Sequence, residues 1–520
     1  MFGRVRTVTR SYPGDGAVRA ELLRPRDGLL AERMVATGEF EQASGPFTQY
    51  RRTLVDGDDH AIVETTEYRL RIPWFGWLFA LPVRNYLRRS HAVAGHQPWW
   101  APPDRLDPRQ AMVLGLLAVA AMASAFTNTL FTQTATFAAD SFGVGDAGVG
   151  WGGAVVRAGI VIAIPLGVLA DRLGRRRVIR WTAWAGPLVC TLGALAPTFP
   201  ILVATQAVGR PLGLTTDLLI AVVAAEEMPR NSRAYAVSVM AMASGLGAGI
   251  AVMALPLADV NIGAGGDDGW RFVYVLTLVW VAAAVSITRH LPETVRFARH
   301  VHHVGDPAEQ PHARPHVAHP RLDRRRLALI AAVLICGNLF VAPASFFQNR
   351  YLSDVRGMSA TMVAIFTLCT ATPASIGLVA GGKLADVRGR RRLIAATLPL
   401  ATAGVLASFL VSGAPMWFAA FAGGLLGGAV YPALAVYRAE LFPTGNRGRA
   451  NALLTAAALG GGIAGILLVG QLTDGGRSYG TAIGLMAIGQ MVVVVLVLTR
   501  FPETAHRSLE QLNPEDVPAT

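Results

Sequence analysis

The stretch Gly167-Val-Leu-Ala-Asp171-Arg-Leu-Gly174-Arg-Arg-Arg177 recurs about 215 residues later as Gly382-Lys-Leu-Ala-Asp386-Val-Arg-Gly389-Arg-Arg-Arg392. Both copies keep the two glycines, the aspartate and the three final arginines in the same order. Each copy also ends a long apolar segment. A long motif that returns in this way indicates an internal duplication.

Two more elements repeat at nearly the same offset and indicate the size of the duplicated unit. They are Glu226, Pro229 and Arg233 with their copy Glu440, Pro443 and Arg447, and the tripeptide at 292–294 with its copy at 502–504. Three elements in one order indicate a repeat of about 210 residues. Duplicated halves embedded in a membrane are typical of alternating-access transporters.

The composition is that of a membrane protein. Of 520 residues, 52% are hydrophobic and only 16% are charged, whereas soluble domains carry about 25% charged residues. Stretches 111–139, 181–209 and 393–437 contain no charge, and about 20 apolar residues suffice to cross a bilayer. Twelve spans are predicted near 112–137, 148–170, 178–197, 200–225, 235–257, 271–290, 327–347, 360–385, 393–412, 415–437, 449–472 and 480–500.

The predicted fold is an all-α membrane protein with twelve transmembrane helices in two pseudo-symmetric six-helix bundles. The bundles are expected at 111–290 and 327–500, with a small cytoplasmic N-terminal extension at 1–110 and a cytoplasmic tail at 501–520. Between the bundles, the linker at 291–326 is rich in Pro, His and Arg, and its low apolar content cannot build a core.

The net charge of +13 is explained by membrane topology. Arginine clusters fall in the loops between alternate spans, whereas the intervening loops lean acidic. This positive-inside pattern predicts a multi-pass protein of the plasma (inner) membrane with both termini in the cytoplasm. A nucleic-acid partner is therefore not expected. The expected partners are the lipid bilayer, a small-molecule substrate and a proton as the coupling ion.

No metal site and no cofactor are predicted. Cys190, Cys336 and Cys369 lie in apolar runs, where cysteine is typically a small core residue. The six histidines of the linker are irregularly spaced, without a carboxylate or cysteine placed to close a metal site. We interpret the linker as a solvated connector; a metal-binding or pH-sensing role is the alternative.

The N-terminal extension contains strand-like stretches around a plausible hairpin turn at Asp56-Gly57-Asp58-Asp59. It then has an apolar, aromatic segment at 72–83, followed by arginines. Twelve residues are too few to span a bilayer. Two interpretations stay open, namely a helix lying in the cytoplasmic membrane surface and the core of a small soluble appendage.

The repeated glycine and aspartate predict a gating latch at the cytoplasmic ends of spans 2 and 8. Glycine permits close approach of a neighbouring helix, and aspartate can complement a helix N-terminus or pair with arginine. The alternative is that the arginines only set topology. The motif resembles the signature of the major facilitator superfamily, and the resemblance covers nearly everything after residue 110. It implies that Asp171 and Asp386 lock the bundles together on the cytoplasmic side in the outward-open state.

Other motifs resemble those of the sugar porter and general substrate transporter branch. They lie after span 6 at 292–296, after span 10 at 439–450 and in the tail at 502–512. In that branch, such glutamates and arginines form a salt-bridge network between the bundles on the cytoplasmic side. The gating residues implied here are Gly167, Asp171, Arg175, Arg176, Glu226, Arg233, Glu293, Gly382, Asp386, Arg390, Arg391, Glu440, Arg447 and Glu503.

Departures from that branch argue against a sugar substrate. Ile-Cys-Gly-Asn-Leu-Phe at 335–340 stands where the branch has a sugar-binding Gln-Leu-Ser pattern in span 7. Span 1 lacks the aspartate of proton-coupled sugar importers and offers Asn128 and Gln133 instead. The Gly-Pro pair of drug antiporters is missing from span 5, so neither sub-branch fits fully.

Charged residues inside the spans are the strongest candidates for substrate binding and coupling, because they are costly in lipid. They are Arg157 in span 2 and Arg210 and Asp217 in span 4. Seven residues place Arg210 and Asp217 on one helix face about 10 Å apart. Their predicted roles are to bind an anionic group and to shuttle a proton, respectively. The alternative is a static ion pair, such as Arg157 with Asp217.

Polar side chains in spans 1, 7 and 10 complete the list of substrate candidates. The superfamily lines its cavity with spans 1, 4, 7 and 10, so the resemblance implies a substrate role for Asn128, Gln133, Asn338 and Tyr431. The alternative is that each bonds a neighbouring helix.

The sequence therefore predicts a secondary active transporter that moves a small organic solute by alternating access and is coupled to protons. A drug or metabolite efflux antiporter of the same superfamily is one alternative, and a non-transporting membrane sensor is another. An enzyme is not expected, because no metal-ligand spacing, nucleophile elbow or paired carboxylates occur in a span.

Overall fold

The computed structural model describes residues 4–57, 61–89, 98, 100–229, 232–260, 268–293, 323–442 and 447–504. Within these ranges, twelve helices are long and apolar enough to cross a membrane, and each predicted span overlaps one of them. The all-α membrane fold is confirmed. Spans 1 to 12 are Pro108–Ser141, Asp146–Gly167, Arg175–Leu195, Phe199–Ala224, Tyr235–Asp259, Trp270–His290, Arg324–Val355, Ala360–Ala385, Arg390–Leu410, Ala414–Ala435, Ala450–Asp474 and Tyr479–Arg500. The histidines of the linker at 300–319 lie outside the described residues.

Two spans are interrupted within the membrane. Span 2 consists of α-helices Asp146–Ala158 and Ala163–Leu173, joined by the 3-10 turn Gly159–Ile162. At Gly159, a Cβ atom would lie 2.3 Å from the carbonyl oxygen of Ala207 in span 4, so only glycine allows this approach of the two helices. Span 6 is similarly built from Trp270–Val275 and Val279–His290. In contrast, the helices of spans 4, 8 and 10 run on to Glu227, Arg388 and Glu440.

Among the described residues, the two bundles share a hydrophobic core at one end. We call the end where span 1 finishes and span 2 begins the acidic end, and the opposite end, with the arginine-rich loops, the basic end. At the acidic end, one cluster of buried residues includes Phe131 of the N-terminal bundle and Phe346 of the C-terminal bundle, whose ring centroids lie 6.3 Å apart. Toward the basic end, each bundle has a separate cluster. The bundles therefore pack together at the acidic end.

The N-terminal extension folds as a five-stranded antiparallel sheet with two helices. The strands pair in the order β1-β5-β4-β3-β2. Strands β4 and β5 pair with each other on either side of 57–60, which agrees with the predicted hairpin. The elements are β1 Arg6–Pro13, α1 Gly16–Leu22, β2 Ala31–Ala36, β3 Glu39–Ser44, β4 Phe47–Asp56, β5 Ala61–Leu70 and α2 Ala80–Arg89.

A buried cluster of charged residues joins the strands of this sheet. Arg52 forms ion pairs with Glu32 at 2.7 Å and Glu64 at 3.2 Å, and Arg26 pairs with Glu64 at 2.9 Å. Burial raises the pKa of the Tyr50 hydroxyl above its usual range, so this hydroxyl stays protonated and donates to Glu32 at 2.5 Å. Each buried charge has a partner, which compensates for its loss of hydration.

The aromatic segment at 72–83 combines features of both interpretations that the sequence left open. Phe75 packs against the membrane bundle, whereas Val83 belongs to the core of the sheet. Trp77 and Leu81 point outward and are 73% and 66% exposed. The segment thus connects the small domain to span 1 and presents an apolar surface beside it.

Candidate functional site

Two arginines from spans 2 and 4 lie near each other inside the N-terminal bundle. Their charges are close enough to repel, and the Nε atom of Arg210 is buried without a hydrogen-bond partner. Neither guanidinium forms an ion pair or a hydrogen bond with any part of the chain that the structure describes. Two neighbouring guanidiniums without a described partner can together bind an anionic group.

Arg157 also reaches the C-terminal bundle. A Cβ atom added at Gly462 of span 11 would lie 3.3 Å from the Nη1 atom of Arg157. The same added atom would lie 3.9 Å from the Cβ atom of Asn338 in span 7. The absence of a side chain at Gly462 therefore leaves room for the guanidinium. Arg157 and Asn338, two of the predicted substrate residues, come together at the junction of the bundles.

Asp217 makes no ion pair among the described residues. The static pair of Arg157 with Asp217, which the sequence left as an alternative, is not formed, because neither residue has a described partner. Asp217 is half-buried and lies two turns beyond Arg210, toward the basic end of span 4. Its neighbour Thr216 bonds the hydroxyl of Thr182 in span 3 at 2.7 Å, which fixes this part of the helix.

The other polar candidates have different environments. The amide of Asn128 donates to Ser124 at 3.3 Å, and its buried oxygen has no partner. Ser124 in turn donates to the carbonyl of Gly213, so Asn128 lies beside the part of span 4 that carries Arg210. Asn338 donates to its own helix at Leu334. Tyr431 is 66% exposed, and no described contact brings it to the arginines.

Gln133 joins the bundles instead of facing an open site. The amide of Asn349 in span 7 donates to its side-chain oxygen at 2.8 Å and to its backbone carbonyl at 3.0 Å. In this conformation both oxygens of Gln133 are thus engaged in a contact between the bundles, which corresponds to the alternative that the sequence left open for it.

At the basic end, the glutamates of the repeated Pro-Glu-Thr elements cap the helices that follow the arginine-rich loops. Both carboxylate oxygens of Glu503 accept from backbone amides, those of Arg390 at 3.0 Å and Arg391 at 3.1 Å. In the first half, Glu293 accepts from the amide of Arg176 at 3.3 Å. A carboxylate at a helix N-terminus satisfies free amides and complements the helix dipole.

The second glycine of each repeated motif makes this capping possible. Gly174 and Gly389 have φ angles of 96° and 94°, which residues with a side chain rarely adopt. A Cβ atom at Gly389 would also lie 2.8 Å from an oxygen of Glu503. The motif is therefore repeated partly because each half needs the same turn into spans 3 and 9.

The described contacts of these side chains lie within single bundles, and the expected network between the bundles stays a prediction. Arg175 pairs with Glu226 at 3.2 Å, within the N-terminal bundle. The described bonds of Glu293 and Glu503 to backbone amides likewise lie within one bundle each. This follows from the packing, because the shared core of the two bundles lies at the opposite end. The remaining gating side chains lie outside the described residues, namely those of Asp171, Arg233, Asp386, Glu440 and Arg447.

The first glycines of the motif do not make the predicted close helix contact in this conformation. A Cβ atom at Gly167 would meet nothing within 4 Å, and one at Gly382 would only reach Pro432 at 3.8 Å. Both positions lie near the basic end, where the bundles do not share a core.

Replacing Glu503 with alanine should lower the free energy of unfolding by about 1–2 kcal/mol, because two helix-capping hydrogen bonds are lost. Glu293→Ala should also lower the free energy of unfolding, because its carboxylate accepts from the amide of Arg176. Thermal unfolding of the purified protein measures both effects, with Asp268→Ala as a control at the exposed acidic end. Equal melting temperatures for Glu503→Ala and wild type would contradict the capping role.

The acidic end holds the described polar contacts between the bundles. Arg350 of span 7 pairs with Asp140 and, at 3.0 Å, with Asp146, both of the N-terminal bundle. Tyr479 of span 12 donates to Asp146 at 2.8 Å. Asp259 of span 5 accepts from the backbone amides of Ala360 and Thr361 at 2.8 Å each, at the start of span 8. The backbones of the two bundles also pack closely at this end. A Cβ atom added at Gly150 of span 2 would lie 3.0 Å from the carbonyl oxygen of Ile466 in span 11.

The sequence analysis treated these loop charges only as topology signals and missed this gate. The available signal was that an arginine ends span 7 while aspartates flank the loop between spans 1 and 2. Spacing along the chain does not show that these loops meet, because they lie about 200 residues apart.

Comparisons with known proteins agree with this architecture. The structure is similar to a bacterial homologue of the human lysosomal transporter Spinster in an inward-facing, occupied conformation, with a TM-score of 0.61 and 18% identity over 80% of this chain and 100% of that chain. It is also similar to the inward-open xylose transporter XylE from E. coli, with a TM-score of 0.58 and 16% identity over 78% of this chain and 98% of that chain. At such identity the similarity shows the fold alone. Among curated protein sequences, none matches significantly.

The sequence profile of the Major Facilitator Superfamily matches residues 116–419 and 328–519, which together cover nearly all of the chain after the N-terminal domain. The duplicated motif, the twelve spans and the two bundles agree with that match. This chain therefore belongs to the Major Facilitator Superfamily, whose members are membrane transporters and not enzymes.

Proposed function

We propose that this transporter carries a small organic anion bound between Arg157 and Arg210, and that it couples the movement to a proton. The observation that carries this proposal is the pair of neighbouring guanidiniums without an acidic partner among the described residues. Unpaired charges inside membrane spans are costly, and a carboxylate or phosphate would compensate both. The planar guanidinium matches such groups with two parallel hydrogen bonds.

The packing of the bundles supports an alternating-access cycle. They share a core and a polar gate at the acidic end and have separate cores toward the basic end. If the basic end faces the cytoplasm, as the positive-inside pattern predicts, this conformation opens inward. In the outward-open state the contacts at the acidic end separate and the basic ends of the two bundles meet. The latch residues Asp171 and Asp386 are proposed to act at these basic ends.

Solute-induced proton movement in proteoliposomes tests this function. Sugars, carboxylates, aromatic acids and cationic drugs are added in turn while the internal pH is followed. We expect a response to acids, and its sign distinguishes symport from an efflux antiport. A response to sugars or cations alone would contradict the anion site. Binding without flux of any class would favour the membrane sensor.

Asp217→Asn should abolish proton-driven accumulation of the acid, by at least about tenfold, while exchange of labelled for unlabelled acid continues. The reason is that an unpaired carboxylate inside a span can take up and release a proton, whereas an amide cannot. Asp268→Asn is the control, because that aspartate is exposed and pairs only with nearby Arg271. Full accumulation with an unchanged pH dependence in Asp217→Asn would exclude this role.

A further inference from the structure

The N-terminal domain has an apolar and basic surface beside spans 1, 5 and 6. Trp74, Trp77, Leu78 and Leu81 are 41%, 73%, 48% and 66% exposed. Four neighbouring large apolar side chains are unusual on a surface that only meets water. Tryptophan is enriched where a protein crosses the boundary between lipid and water.

The position of this surface relative to the spans places it at the level of the membrane boundary. A Cβ atom at Gly115 of span 1 would lie 3.0 Å from a side-chain methyl of Ile72 and 3.1 Å from Pro73. Gly115 lies seven residues inside span 1, about 10 Å along the helix. Because span 1 has 34 residues, it is longer than the hydrocarbon layer is thick, so we expect its first turns, and with them this contact, near the headgroups.

Two cavities flank the segment at 72–83 and differ in character. One, of about 740 Å³, is lined by Arg4 and Arg6 together with Trp77. The other, of about 610 Å³, is lined mainly by apolar residues, among them Leu114 of span 1 and Met242 and Leu246 of span 5. Leu70, Ile72, Phe79 and Val83 line both cavities, so the two are direct neighbours.

The charges of the first cavity are available to a ligand. Neither Arg4 nor Arg6 has an ion-pair partner among the described residues, and both are exposed. Arg84 and Arg88 of helix α2 add two further exposed positive charges. A basic surface with aromatic side chains at membrane depth fits a lipid that has a negative headgroup and apolar chains.

We propose that this surface binds an anionic phospholipid of the surrounding membrane. Arg4 and Arg6 hold the headgroup phosphate, an acyl chain occupies the apolar cavity between spans 1 and 5, and Trp77 and Leu81 enter the headgroup layer. The proposal is independent of the transported solute, since none of these residues belongs to the site formed by Arg157 and Arg210.

The site is also connected to the transport domain. The carbonyl of Trp100 accepts from Tyr235 of span 5 at 2.9 Å, and the amide of Asp104 donates to Ser232 at 2.9 Å. These contacts fasten the small domain to the start of span 5, and with it to one bundle only. A bound lipid would therefore anchor the N-terminal bundle to the membrane surface.

Native mass spectrometry of the full chain in neutral detergent, with equal amounts of phosphatidylglycerol and phosphatidylcholine, tests the proposal. We expect preferential retention of phosphatidylglycerol. The double variant Arg4→Gln/Arg6→Gln should weaken the binding of phosphatidylglycerol about thirtyfold, because each basic residue contributes about fivefold to the affinity. Arg33→Gln is the matched control, because Arg33 lies on strand β2, at the opposite edge of the sheet from β1. Equal retention of the two lipids, or unchanged binding by the double variant, would overturn the proposal.

A second variant tests the apolar part of the site. Trp77→Ser should weaken retention of both lipids severalfold, and Val35→Ser, an exposed apolar position on the far strand that is 56% exposed, should not. If the two variants retained lipid equally well, insertion of the aromatic segment would be excluded.

Discussion

Arg210→Ala is expected to lower the uptake of an acidic solute at least about thirtyfold. Removing one partner of a buried, hydrogen-bonded charge pair costs about 2–5 kcal/mol, and 2 kcal/mol corresponds to about thirtyfold. The loss should be this large because the Nε atom of Arg210 is buried and the guanidinium forms no described hydrogen bond or ion pair within the protein. Removing the side chain should therefore cost little folding stability, so the main effect should be weaker binding and slower uptake of the acid. Initial uptake rates and direct binding of the acid give the two readouts.

Three further variants make this result specific. Arg157→Ala should impair the same acids, because the two guanidiniums share the site. Arg210→Lys should recover part of the binding, since lysine keeps the charge but not the two parallel donors. Arg289→Ala removes an exposed charge at the end of span 6 and should leave uptake unchanged. Wild-type uptake by Arg210→Ala would place the substrate elsewhere.

Arg350→Ala is expected to open the acidic end. Arg350 is 8% exposed and pairs with Asp140 and Asp146 across the bundle boundary. Breaking a buried ion pair by removing one partner costs about 3–5 kcal/mol, and about 5.5 kcal/mol inverts a 99:1 equilibrium. The closed acidic end should therefore lose most of its advantage over the open one. Asp354 of span 7, which also pairs with Arg350 at 2.8 Å, would then face Asp140 and Asp146 of the other bundle without a positive charge between them.

Distances between spin labels at Leu195 and Ser412 measure this change. Leu195 lies at the acidic end of the N-terminal bundle and is 77% exposed, and Ser412 lies in the exposed loop between spans 9 and 10. The native cysteines are replaced first. We expect a longer distance to become well populated in Arg350→Ala. Arg356→Ala is the control, because Arg356 bonds Tyr351 and Val411 of its own bundle. An identical distance distribution in Arg350→Ala and wild type would show that the cluster does not hold the gate.

The difference between predicted and observed contacts is clearest for the repeated glutamates. The motif at 292–294 and its copy identify Glu293 and Glu503 as equivalent residues, and the structure gives both the same capping role. The described capping bonds lie within single bundles, and the expectation that these glutamates also bridge the bundles stays a prediction. A charged side chain has several possible partners at the same end of the molecule, and helix packing selects among them.

Sequence patterns alone determined the twelve spans, the duplication into two bundles and the candidate charges Arg157, Arg210 and Asp217. These are features of single segments, since a span needs only its own apolar length and a charge inside it is visible without any partner. Only the tertiary structure decided that the two arginines are neighbours without an acidic partner in the described parts of the chain, that Gln133 and Arg350 close the acidic end, and that the aromatic segment lies beside span 1. Each of these depends on contacts between residues far apart in the chain, and the packing of the helices sets those contacts.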